Sequence, residues 1–142
     1  MLYFLTCPEI SCPLNLKRYC SNDIWKIVRN KKDGFSQCYF FLPDSLPKNI
    51  DTLWIKRLYV VGQGFKILKI GNEVFIYLGV CKMHDCTNKF YEILYNPFTD
   101  TCYGKVILKS KKKESYCTNN IDENIKYLFE ILDFEFLFLG DF

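Results

Sequence analysis

Histidine is nearly missing from this chain: one in 142 residues, His84. Any histidine-based catalytic triad would have to be built on that single side chain. No Cys-x-x-Cys pair occurs, which argues against a thiol oxidoreductase. Gly62-Gln63-Gly64 is followed neither by a third glycine at the right spacing nor by a helix pattern, so a phosphate-binding loop is excluded. No run of about 18 apolar residues is present, so no membrane span is expected. The apolar start Met1-Leu-Tyr-Phe-Leu5 is shorter than the roughly 7–15 residues of a signal-peptide core, so a leader either preceded this chain or never existed. An excess of charge is also lacking. Nineteen Lys and Arg face 16 Asp and Glu, and a net charge of +3 is too mild to indicate nucleic acid. The cluster Lys109, Lys111, Lys112 and Lys113 reads as a solvated turn. Internal repeats and low-complexity linkers are absent.

What the chain does have is apolar mass and cysteine. Apolar residues make up 49% and aromatics 18%, enough for the core of one domain over residues 1–142. Eight cysteines, Cys7, Cys12, Cys20, Cys38, Cys81, Cys86, Cys102 and Cys117, indicate a compartment where disulfides persist; the alternative is reduced cysteine packed as a small hydrophobe.

Local signals run as follows. Leu2 to Leu5 is a first strand or part of a stapled arm. Ser21-Asn22-Asp23 starts a helix carrying Ile24, Ile27 and Val28, and Gly34 is suited to a left-handed cap after Lys31-Lys32-Asp33. Cys38 to Leu42 reads as a short strand or buried segment, and Pro43 to Asn49 as a loop. From Leu53 the pattern is β-rich: 53–55, 58–61, 65–70, 74–80, 90–95 and 102–108, with turn signals at Gly71-Asn72 and at 96–100. A chain that meanders in this way pairs antiparallel. Asn119 or Asn120 can cap a helix to about Leu132, and Phe134 to Leu139 is either a last strand or more helix.

The lone histidine lies in Cys81-Lys82-Met83-His84-Asp85-Cys86, between two strand-like runs. If its two cysteines are oxidised together, the segment closes into a small ring that projects Lys82, His84 and Asp85. Ordering a backbone residue costs about 1–2 kcal/mol, so fixing such a loop in advance lowers the cost of binding. A nucleophile is hard to align inside so small a ring, and the residues indicate a non-enzyme. Zinc is a weighed alternative: Cys81, His84 and Cys86 supply three donors, but the second knuckle would be Cys7 and Cys12 at unusual spacing. A plain exposed histidine on a tied turn is the other. No cofactor is implied.

The segment Cys-Lys-x-His-Asp-Cys at the end of a strand resembles the signature loop of the Ivy-type inhibitors of C-type lysozyme, which reads Cys-Lys-Pro-His-Asp-Cys. Trp54 upstream, the Gly71-Asn72-Glu73 turn and the strand–turn–strand from Phe90 to Leu108 also correspond, so the likeness spans about Trp54 to Leu108. It divides the chain into a divergent region, 1–50, and an Ivy-like core, 51–142. The resemblance implies an α+β fold, an antiparallel sheet of about five strands with helices packed on one face. It implies a Cys81–Cys86 disulfide, and an inhibitory loop of Cys81, Lys82, Met83, His84, Asp85 and Cys86. In it, His84 meets two catalytic carboxyl groups and Asp85 shapes the projection. The implied partner is a C-type lysozyme or related peptidoglycan-cleaving enzyme, and the implied location periplasmic or secreted. A homodimer is left open, as is the pairing of the other six cysteines. Met83 stands where the family has proline, and a basic chain is steered only weakly towards a basic lysozyme.

Overall fold

The structure is a computed structural model that describes residues 2–5, 16–20, 23–62, 64–117 and 121–139, with side chains of the last helix described as far as Leu132. Turn chemistry sets the sheet. Gly71, at φ +58°, opens the two-residue connection between β3 (Lys66–Ile70) and β4 (Glu73–Lys82), with Ile70 opposite Glu73. The Asn96 side chain accepts from the amides of Phe98 and Thr99, turning β5 (Lys89–Asn96) into β6 (Thr101–Leu108). β7 (Lys113–Tyr116) pairs with β6, and β1 (Leu2–Leu5) with β3. β2 (Val60–Gly62) pairs with the last residues of β4, on the same edge as β3. Every pairing is antiparallel. The seven strands make a sheet six strands wide, β1-β3-β4-β5-β6-β7, with β2 beside the far end of β4.

The expected fold class, α+β on an antiparallel sheet, is what the chain adopts. The helices, however, lie on both faces rather than one. Ile76, Leu78 and Val80 of β4, with Tyr91, Ile93 and Tyr95 of β5, share a core with α1 (Ile24–Val28), α2 (Gly34–Phe41) and α3 (Leu53–Lys56). On the opposite face Phe75, Tyr77 and Leu94 pack under Ile125, Leu128, Phe129 and Leu132 of α4 (Glu123–Leu139). Alternate residues of a strand point to opposite faces, so a strand covered on both sides is apolar throughout. The unbroken run from Val74 to Val80 has that character. Residues 16–50 supply much of the first core through Leu16, Tyr19, Phe35, Tyr39 and Ile50.

Several local expectations are corrected. Asp23 does cap α1, accepting from the amides of Trp25 and Lys26. Gly34, though, is the first residue of α2 and not a left-handed cap; Asp33 caps that helix by accepting from the Phe35 amide. A Cβ on Gly34 would run into the Tyr95 hydroxyl. Cys38 to Phe41 is helical, and Leu42–Ser45 is a 3-10 turn. Leu53 to Lys56 is a helical turn, not a strand, because Asp51 accepts from the Leu53 amide while its carbonyl accepts from the Trp54 indole at 2.9 Å. In α4 the cap is Asp122, which accepts from the Ile125 amide, and the helix continues through 134–139 with no last strand. The expected caps Asn119 and Asn120 lie outside the described residues.

Cys38 joins Cys102, tying α2 to β6, and Cys81 joins Cys86. Cys20 is also disulfide-bonded. Cys117 is a buried free thiol, pushed up to about 12 by burial. Two buried acids are held in place. Asp33 takes Arg18 at 2.8 Å and the Tyr19 hydroxyl at 3.0 Å, and Glu92 takes the Tyr77 hydroxyl at 2.6 Å. No described helix is long and apolar enough to cross a membrane.

Candidate functional site

β4 carries the chain to Lys82, one residue beyond the buried Cys81, which stands opposite Phe90. The Cys81–Cys86 bond then forces the chain to reverse within a few residues. The reversal is a tight turn in which the Asp85 amide donates to the Lys82 carbonyl at 2.9 Å. His84 is held at φ +66°, left-handed backbone that a non-glycine residue rarely adopts. Its side chain is exposed and makes no hydrogen bond with any described residue. Asp85 faces back into the loop. Its carboxylate accepts from the Asn88 side chain at 2.9 Å, and its carbonyl from the amides of Asn88 and Lys89 at 3.1 Å. Lys82, Met83 and Cys86 are half-buried. The six loop residues picked out from sequence therefore form one tied turn with the imidazole on its outside.

A second element is attached to this turn. The Met83 amide donates to the Tyr59 carbonyl at 3.0 Å, and the Tyr59 and His84 rings lie 6.1 Å apart at a tilt of 53°. Tyr59 belongs to the corner between α3 and β2. There the Tyr59 amide caps α3 by donating to the Trp54 carbonyl, and Leu58 takes φ +58° in the position usually given to glycine. Asp51, Leu53, Trp54, Arg57, Tyr59 and Lys82 line a shallow depression of about 360 Å³ beside the loop. Trp54 forms its floor, buried, while Leu53 and Tyr59 are exposed by 56% and 44%.

The sequence pattern predicts strands over 53–55 and 58–61 and so hides this corner; of those residues only Val60 and Val61 are in a strand. The signal that could have found it is Asp51-Thr52 ahead of Leu53-Trp54-Ile55-Lys56, an N-cap before one helical turn. The zinc set weighed from sequence loses two donors to each other, since the sulfurs of Cys81 and Cys86 are joined. Among the described residues, no group of three His, Cys, Asp or Glu could hold a metal ion. A second cavity, about 450 Å³, lies at the other end of β4 between the Gly71-Asn72 turn and the start of α4, away from the loop.

Fold and site together define a class: an antiparallel α+β domain that presents a cystine-closed loop bearing one exposed imidazole. No family model matches the chain, and no curated protein matches it.

Proposed function

We propose that this protein inhibits a C-type lysozyme or a related peptidoglycan-cleaving enzyme by inserting the loop from Cys81 to Cys86 into the catalytic cleft. The observation that carries the reading is the exposed imidazole of His84, fixed at φ +66° on a turn closed by the Cys81–Cys86 bond. A retaining glycosidase holds two carboxyl groups roughly 5 Å apart, one protonated and one ionised. A neutral imidazole donates to the ionised group and accepts from the protonated one; an imidazolium donates to both. Bonds of this kind are stronger when one partner is charged. The loop also fills the space of a sugar ring, and the inhibitor performs no chemistry. Asp85, turned inward onto Asn88, keeps a third carboxylate away from the two in the cleft. With Met83 in place of proline, rigidity comes from the cystine and from the Met83–Tyr59 hydrogen bond. Two disulfides are compatible with an oxidising compartment, and a periplasmic or secreted location belongs to this proposal.

The test is to add the protein to a C-type lysozyme clearing a suspension of bacterial walls. Clearing slows, and His84→Ala weakens inhibition by about 2–4 kcal/mol, the range of a central interface residue. His84→Asn retains a residue tolerant of left-handed backbone and loses the imidazole, so it fails as the alanine variant does. Full inhibition by both variants would remove the plug mechanism. The second reading, a non-catalytic interaction module with another target, is favoured by the net charge of +3, which steers the chain only weakly towards a basic lysozyme. A folded protein without effect on any glycan hydrolase would select it.

A further inference from the structure

We propose that the corner between α3 and β2 is the second half of the docking surface, and that it receives a carboxylate-bearing edge of the partner protein beside the crevice that takes His84. The inference rests on the reading of the loop as a plug and adds the chemistry of what must surround its target. Three observations lead to it.

The first is continuity. Val60 pairs with Lys82 across β2 and β4, and the Tyr59 carbonyl holds the Met83 amide. Corner and loop are therefore one body, and whatever the loop enters must also meet Leu53, Arg57 and Tyr59. The second is backbone conformation. Leu58 and His84 are two of the non-glycine residues with positive φ, and they fall on these two adjoining turns. Such residues persist where the surroundings force them, often at binding sites. The third is charge. Arg57 and Lys82 line the depression, and neither makes an ion pair with a described residue. The one acid of the lining, Asp51, accepts from the Leu53 amide at 3.1 Å. The lining therefore carries two cations against one carboxylate, a net positive charge, flanked by exposed Leu53 and Tyr59. A guanidinium donates through two parallel N–H groups to a carboxylate, and the apolar pair covers the stem that bears it. Tyr59 has a further part as a positioning residue, since its ring bounds the space open to the imidazole.

The experiment uses the full chain with Arg57→Glu, Leu53→Ser and Tyr59→Leu, each checked for unchanged melting. Binding to a C-type lysozyme is measured by calorimetry over a salt series. Arg57→Glu weakens it about tenfold or more and flattens the salt dependence, and Leu53→Ser weakens it about fivefold. A readout without that enzyme is also at hand. His84 is the only histidine, so its ring protons give a single set of NMR signals. Tyr59→Leu moves those signals by removing the neighbouring ring. Tetraglutamate shifts the amides of Tyr59 and Lys82 in the parent protein and leaves Arg57→Glu unmoved. If lysozyme is inhibited and Arg57→Glu and Leu53→Ser inhibit as the parent does, the corner proposal is overturned while the plug stands. If lysozyme is not bound but the tetraglutamate shifts depend on Arg57, the lysozyme reading falls while the carboxylate site stands. Absence of any tetraglutamate shift, or equal Arg57-dependent shifts with a short DNA duplex, overturns the assignment of a carboxylate edge.

Discussion

The two defined cystines differ in almost every respect. Cys38–Cys102 spans 64 positions and joins a helix to β6, the strand next to the sheet edge; Cys81–Cys86 spans five and joins the end of one strand to its own loop. Closing a chain costs the unfolded state entropy that grows with the logarithm of the loop, which gives about 4 kcal/mol for the long link and about 2 kcal/mol for the short one. The long bond therefore acts mainly on the unfolded chain and serves the fold. The short one has less to remove from the unfolded chain. Its larger effect is on shape, because it selects the turn that leaves His84 outside and Asp85 inside. Under the proposed function, stability and recognition are placed in different bonds of the same chemistry.

The largest expected effect breaks this comparison on the fold side. Replacing both Cys38 and Cys102 by serine lowers unfolding free energy by about 4 kcal/mol, read from the denaturant midpoint. Under the proposed function, inhibition per folded molecule stays at the parent level. A large loss of inhibition in a folded sample would show that the two bonds are not separable. Replacing both Cys81 and Cys86 by serine comes next, at about 2 kcal/mol of stability. Here inhibition falls by more than the stability loss accounts for. Equal inhibition by this folded variant would mean that the hydrogen bonds of Asp85 and Met83 hold the turn alone. A smaller change tests the core without touching either bond. Tyr77→Phe removes the hydroxyl given to buried Glu92 and costs about 1–3 kcal/mol, with the loop unaffected. A neutral outcome would place the stabilisation of Glu92 elsewhere.

Legibility in the sequence followed chain distance. The loop was legible because its parts are contiguous, from Cys81 to Cys86, and flanking strand patterns locate it at the end of a hairpin. The β3–β4 turn was legible because Gly71-Asn72 carries its own conformational signal. The second helix layer was not, although the continuous apolar run of β4 holds the clue that both its faces are covered. Gly34 misled because glycine after a basic stretch resembles a helix end, whereas Asp33 beside it was already the cap of the next helix. The corner was out of reach for a different reason. Val60 meets Lys82 only through strand pairing, and no local pattern specifies that register.

The smallest effect at neutral pH concerns the core phenols and sharpens the comparison from the alkaline side. Burial pushes the hydroxyls of Tyr19, Tyr39, Tyr91 and Tyr95 upward. All four also need their proton to donate: Tyr91 to the Tyr39 carbonyl at 2.9 Å, Tyr39 to the Ile55 carbonyl at 3.0 Å, Tyr19 to Asp33 at 3.0 Å and Tyr95 to Asp100 at 2.8 Å. Above the ordinary phenol value of about 10 the unfolded chain gives up these protons while the folded chain retains them. The unfolded state then binds fewer protons, so stability must decline as pH rises. The contribution is fully present below about pH 10 and is lost above it. Cys117, raised to about 12, adds to the same trend. Phenolate absorbance followed with helix signal checks this: the late-titrating tyrosines ionise together with unfolding. Smooth titration of all ten tyrosines near the ordinary value, with the helices intact, would refute the burial account. The cystine on the core side should then be the one that matters. Loss of Cys38–Cys102 lowers the pH of alkaline unfolding, and loss of Cys81–Cys86 lowers it less, because the turn it closes contains no phenol.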